Sequence, residues 1–301
     1  MLPSAWSVRG RFTPEGLQGR VAGLDPSKFA DPVVISAASP NLSVSIDAES
    51  GQFESGESEI LLPDQFFDAG LMSDSQQDRQ ALLRQLHDDD SAFFPKRPSL
   101  FFWTDPVDAG TSFGDGFVQR GWALAKIPIE LERLESGSPF LVPASFVRIE
   151  AHLGEKGPST VFNAETGRWL ESMNRPNESE LRCVVPRVLL PCELRRCRLA
   201  MRITAPGRTV EIKGIQDGQF ETLHRVESPA GRIEFDIEDP DALALDPDGG
   251  FLIAIAVSET EKEREIESQP APSIDSPRVA EVSRSTWAIE YVHISVEGTT
   301  L

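Results

Sequence analysis

The stretch 194-LRRCRLAMRITA-205, followed at once by 208-RTVEIKGIQDGQFETL-223, decides the fold. In the first part apolar residues alternate with arginines. In the second, alternation runs into the pair Asp217-Gly218 and resumes beyond it. Period-two patterning on both sides of an Asp-Gly dipeptide predicts two antiparallel strands joined by a tight turn. Similar runs stand at 232–237, 251–257 and 287–296, separated by clusters of Gly, Pro and Asp. Nearer the N-terminus, 123–131 and 147–153 alternate in the same way, and no convincing helix separates these runs. The fold class expected is mainly β, with an antiparallel sandwich over 116–301.

Residues 1–115 read as a mixed α/β N-terminal region. Short strands are expected at 33–36, 42–48 and 59–62. One clear helix is expected over 74–87: Ser73 or Ser75 caps it, Asp74 and Asp78 suit its first turn, and Ala81, Leu82, Leu83 and Leu86 form its apolar side. The Asp- and Pro-rich stretch 88–98 ends the helix, and 100–103 reads as a short buried strand. A Gly- and Asp-rich loop at 105–117 marks the softest boundary. The segment 258–285 is charged, holds three prolines and lacks apolar periodicity, so it reads as a long mobile loop between the last two strands. The stretch from Val44, VSIDAESGQFES, echoes VEIKGIQDGQFET from Val210. Shared hairpin chemistry accounts for the match more simply than duplication.

The chain of 301 residues suffices for one large or two ordinary domains. Its net charge of −19 speaks against nucleic acid as partner, because phosphate binding needs a basic surface, and against anionic membranes. No apolar run approaches the roughly 20 residues of a membrane-spanning helix. The start, MLPSAWSVRGRF, lacks the features of a signal peptide; an extracytoplasmic location is nonetheless favoured for a module of this kind. Oligomeric state is not legible.

Candidate sites are few. Residues 182–213 hold eight basic residues against the two acids Glu193 and Glu211. Arg196, Arg198 and Arg202 share a strand face opposite Cys197, Leu199, Met201 and Ile203. The favoured reading is a solvated face whose arginines pair with carboxylates on neighbouring strands; the alternative is a site for an anion or acidic partner. Asp239, Asp241, Asp246 and Asp248 cluster in EDPDALALDPDGG, a candidate Ca2+ loop set against the plainer reading of an acidic turn. His87 with the aspartates 88–90 reads as a helix end rather than a metal cluster. Cys183, Cys192 and Cys197 form no disulfide framework, and Cys197 belongs to the core. Trp103, Trp122, Trp169 and Trp287 lie in or beside strands, where burial is expected; Trp169 is the best candidate for an exposed ligand platform. No activated Ser or Cys, no nucleotide-binding glycine motif and no zinc spacing occurs.

Residues 208–223 together with the closing run 287-WAIEYVHISVEG-298 resemble the hairpin and final strand of galactose-binding-like jelly rolls. That resemblance covers about the last 120 residues and implies a jelly-roll module of a class that binds sugars, proteins or membrane surfaces and sometimes holds structural calcium. No ligand residue carries over, since no binding-loop motif matches. The leading functional expectation is a non-catalytic binding or interaction module, such as the soluble domain of an envelope-associated assembly, with a protein or glycan partner. The alternatives are a carbohydrate-active module or hydrolase using loop carboxylates, and a structural subunit held by its basic strand face.

Overall fold

Apolar–polar alternation sets the strands, and the points where it slips set how they are used. A computed structural model describes residues 6–36, 39–68, 71–89, 97–105, 121–152, 161–260 and 285–301. The protein is mainly β, with one α-helix and several antiparallel sheets among the described residues. It divides into two compact units: Met1–Arg148 with Val185–Glu193 and Ser295–Leu301, and Ile149–Val184 with Leu194–Ile294. The loop read as a boundary at 105–117 lies, after Asp105, outside the described residues, and the chain on both sides of it belongs to the first unit.

The first unit contains β1 (Ser7–Thr13), β2 (Gly16–Ala22), β3 (Ala30–Ser36), β4 (Ser39–Ser43), β5 (Ser45–Ile46), β6 (Gln52–Ser55), α1 (Asp74–Asp89), β7 (Ser99–Thr104), β8 (Ala123–Leu131) and β9 (Pro139–Val142). Eight of these strands form one sheet in the order β4-β3-β7-β8-β1-β2-β6-β5, in which β1 runs parallel to β8. Val8, Phe12, Leu17 and Val21 turn to the core from the β1–β2 hairpin, so their polar neighbours face outward. The strand expected at 59–62 does not form. A single turn of 3-10 helix covers Glu57–Glu59, and Ile60 makes one bridge to Leu42.

The helix expected over 74–87 is present as α1, and of its expected apolar side Leu83 and Leu86 pack inward while Ala81 and Leu82 do not. Leu83 reaches the cluster of Val33, Ile35, Phe66, Phe101 and Trp103, while Ala81 and Leu82 stay exposed. Polar side chains take their place. Arg79 pairs with Asp31 at 2.8 Å, Gln76 donates to Asp31, and Gln80 accepts from the Phe66 N–H and donates to the Asp64 carbonyl. These hooks follow helical spacing from Gln76 through Arg79, Gln80 and Leu83, so the buried stripe is continuous though only partly apolar. The hydropathy pattern found Leu83 and Leu86 but missed the polar part of the buried stripe, because it counted leucines and not amides.

The second unit contains β10 (Arg148–Ala151), β11 (Phe162–Asn163), β12 (Arg168–Trp169), β13 (Asn177–Val184), β14 (Cys192–Thr204), β15 (Thr209–Gln216), β16 (Gln219–Glu227), β17 (Ala230–Ile237) and β18 (Gly250–Val257). The first residue of β10 (Arg148) and the first two of β14 (Cys192 and Glu193) belong to the first unit, and the final strand, β19 (Ala288–Thr300), likewise has residues in both. One sheet has the order β10-β13-β18-β15-β16; elsewhere β14 pairs with β17 from Cys197–Ile237 to Thr204–Ala230. The turn between β15 and β16 is Asp217-Gly218, both at positive φ, the geometry of a two-residue hairpin. The echo at Gly51 has the same origin: Gly51 also has positive φ and opens a return strand, but at the end of a longer turn closed from Asp47. Hairpin chemistry, not duplication, explains the shared letters.

In β14 the alternation slips by one at Arg195-Arg196. Cys192 and Leu194 are buried before it, and Cys197, Leu199, Met201 and Ile203 after it. A guanidinium then organises one end of this unit. Arg208, 1% exposed, donates to the carbonyls of Ser258, Ser285 and Asn174 at 2.8, 3.0 and 3.4 Å. Both ends of the long segment read at 258–285 are therefore tied to one side chain, while 261–284 lie outside the described residues. Replacing Arg208 by Met orphans these buried acceptors. It is expected to lower the unfolding free energy by about 3 kcal/mol in urea titrations, and Arg208→Lys should not restore it, because one ammonium lacks the planar fork.

Candidate functional site

The residues singled out from sequence are placed as follows. Arg198 pairs with Asp236 of β17 at 3.0 Å and Arg202 with Glu290 of β19 at 3.1 Å, and Arg196 on the same face is half-buried. Trp169 sits in the β11–β12 hairpin, half-buried, with its ring 5.0 Å from that of Phe162, its register partner. Trp103 and Trp287 are core residues, but Trp122 is 52% exposed, against the expectation of burial, and lies under the Arg79 guanidinium at 4.6 Å.

The four aspartates do not converge. Asp239 accepts from the N–H groups of Asp241 and Ala242 and from the Gln216 amide. Asp246 accepts from the N–H groups of Asp248 and Gly250 and from Arg182, which also bonds Glu150. Each carboxylate thus closes its own turn. Among the described residues no group of three or more His, Cys, Asp or Glu side chains is placed to hold a metal ion. The Asp239 carboxyl lies below the usual range, chiefly through the Ala242 N–H. Burial raises that of Asp246, but the Gly250 N–H and Arg182 outweigh it and hold the carboxyl low.

All three cysteines are free and buried, and burial pushes the Cys192 thiol up to about 11. His293 stacks on Tyr291 at 4.4 Å; burial, with Arg232 nearby, pushes it down to about 4, so it is neutral at physiological pH. His87 and the aspartates after it fall at the end of α1, and Asp90 lies outside the described residues.

The geometry of a site is found elsewhere, on the outward face of the first unit. There a recess of about 900 Å3 opens over β1, β2, β6 and the β5–β6 turn. Register defines its floor. Arg9 stands opposite Arg20, and Arg20 opposite Gln52; one step along, Arg11 stands opposite Gln18, and Gln18 opposite Glu54. On the other side of β1, Glu130 is in register with Arg9, 3.7 Å away in a largely exposed pair. Beneath the floor the Phe53 ring lies so close to Gly19 that an added Cβ would meet it at 2.4 Å, and would meet the Arg9 carbonyl oxygen at 2.2 Å. Glycine is required there for β1, β2 and β6 to lie as they do.

Arg9, Arg11 and Arg20 are all exposed, and among the described residues neither Arg11 nor Arg20 has an ion-pair partner. Like charges directly across a strand pair are destabilising, and this chain has 48 acids with which to avoid that. On the recess rim Asp47 is already engaged: it accepts from the hydroxyl and N–H of Ser50 at 2.6 and 2.7 Å, and the hydroxyl contact above all holds it below the usual carboxylate range. Sequence reasoning missed these arginines, although the signal was present. VRGRF at 8–12 and LQGRV at 17–21 alternate as two strands of one hairpin, with arginines on the polar parity.

The class defined by this geometry is a mainly β protein with a polar recess on one sheet, lined by the three arginines and by the carboxylates of Asp47, Glu54 and Glu132. No protein-family model matches the chain, and no curated protein sequence matches it. Among the described residues no helix is long and apolar enough to cross a membrane.

Two outcomes are expected. Arg20→Glu, which places opposite charges across β1 and β2, should raise stability by about 0.2–1 kcal/mol in urea unfolding; a loss of that size would make Arg20 structural. Asp246 contributes stability above the unfolded carboxyl value of about 3.9, lost as pH falls through its lowered folded value. Asp246→Asn should therefore cost about 1–2 kcal/mol at pH 7 and flatten the decline of the urea midpoint between pH 5 and 3, to about the order expected for a partly exposed charged hydrogen bond.

Proposed function

We propose that this protein is a non-catalytic binding or interaction module whose recess over β1, β2 and β6 receives its partner. One observation carries this reading: Arg9, Arg11 and Arg20 are grouped on one face of a chain with net charge −19, at a cost in cross-strand repulsion. The recess is furnished with three guanidinium groups and two amides, bordered by the carboxylates of Asp47, Glu54 and Glu132. Guanidinium and amide groups hydrogen-bond well but exchange no protons in the neutral range, so they suit holding a partner more than transforming it. Its volume falls within the usual span of ligand pockets, about 300–1,000 Å3. The galactose-binding-like resemblance of the last third also points to a class that binds. An envelope-associated assembly is the setting we propose, with a protein or glycan as partner.

The test is a thermal-shift screen of the whole protein against acidic peptides, neutral and sulfated glycans, and calcium, run in parallel on Arg11→Glu/Arg20→Glu. A ligand at about 100 times its Kd stabilises by about 2.7 kcal/mol, several degrees in melting temperature. The expected result is a shift in the parent protein that the double variant loses. Turnover of any substrate that vanishes on replacing one loop carboxylate would overturn the reading.

A further inference from the structure

The layout of charge in the recess selects the shape of what fills it. Across the strands, one row runs Glu130, Arg9, Arg20, Gln52, and the next carries Arg11, Gln18, Glu54, with Glu132 also lining the recess. Positive charge is therefore confined to a stripe two strands wide. It is bordered by carboxylates on the β8 side and by Gln52, Glu54 and the Asp47 turn on the other. An anionic ligand lying across the strands meets acid at both ends. One lying along β1 and β2 stays over the arginines.

Spacing along the stripe is that of a strand. Arg9 and Arg11 are two residues apart on one face, about 6.8 Å at the usual rise of about 3.4 Å per residue. Arg20 is the register partner of Arg9, about 5 Å across the pair. Carboxylates on alternate residues of an extended peptide repeat at that same distance of about 6.8 Å, so successive acids meet successive guanidinia. A recess of about 900 Å3 is far larger than one inorganic anion needs. Neutral sugars lack a platform in it, since Phe53, which lines it, is 3% exposed.

Building on the binding-module reading, we infer that the recess binds an extended acidic peptide segment, with Asp or Glu at alternate positions, laid along β1 and β2. Arg9 and Arg11 hold successive carboxylates in charge-assisted pairs, Arg20 reinforces Arg9 from across the strand pair, and Gln18 and Gln52 bond its polar groups between them. The flanking acids set its direction by repelling a chain that crosses the stripe, so part of the specificity comes from exclusion.

The experiment uses fluorescence anisotropy with two labelled peptides of identical composition. One alternates Glu and Thr; the other carries its glutamates in one block. The full chain is expected to bind the alternating peptide about tenfold more tightly than the block isomer, with affinity falling as salt rises. Arg11→Glu/Arg20→Glu should lose at least about tenfold, while Arg198→Glu, on the paired face of β14, changes nothing beyond nonspecific charge effects of about twofold. Equal affinity for the two isomers overturns the inference, as does tighter binding of inorganic phosphate or a sulfated oligosaccharide. If a glycan stabilises the parent but not the double variant while neither peptide binds, this inference fails and the binding module stands. If no ligand depends on the recess, both fail.

Discussion

A buried guanidinium that donates to three main-chain carbonyls organises one end of the second unit. Arg208 stands just before β15 and bonds Asn174, ahead of β13, Ser258, after β18, and Ser285, ahead of β19. Neighbouring bonds tighten the same place: Thr209 and Ser258 exchange N–H contacts, and the Trp287 indole donates to the Arg175 carbonyl. Desolvating a charge is costly, and the planar fork of arginine offsets part of that cost by reaching several carbonyls from one point. With both ends of 258–285 held there, the residues between can vary in number and composition. Closure entropy grows only slowly with length, by about 0.6 kcal/mol per doubling.

Pairing manages charge at many other positions. In the second unit Arg182 bonds Glu150 and Asp246, and Lys213 reaches Glu178 at 3.1 Å across the intervening strand β18. The crossing is possible because β18 presents Ala254 and Ala256 to that face. Arg198 and Arg202 follow the same habit with acids on adjacent strands. Exposed pairs of this kind contribute little stability. The hairpin of β1 and β2 stands out as a site because its arginines line a recess.

Legibility followed the strength of local pattern. The β15–β16 hairpin was readable because Asp217-Gly218 supplies two positive-φ positions between alternating runs. The helix was readable from its leucines, and Leu83 and Leu86 of its buried flank with it, but the polar part of that flank was not. Gln80 and Arg79 are buried through partners at Asp64, Phe66 and Asp31, residues remote in sequence. The acidic loop looked like a cation site because spacing reveals which oxygens are near one another in sequence but not which backbone N–H groups they already accept from. Trp122 is the converse: strand proximity suggested burial, and only the fold placed one face of its ring against Arg79 and left half of it open.

Sequence alone determined the class of fold, the existence of one helix, the hairpin at Asp217-Gly218 and the charged character of 258–285, because each depends on neighbours within a few residues. Tertiary structure decided that β1 lies parallel to β8, that Arg9 faces Arg20, and that Glu130 and Glu54 flank the arginines between them. Strand register is a relation between segments separated by anything from a short turn to more than a hundred residues. No local propensity encodes it, and a shift of one residue would turn every one of these side chains to the other face.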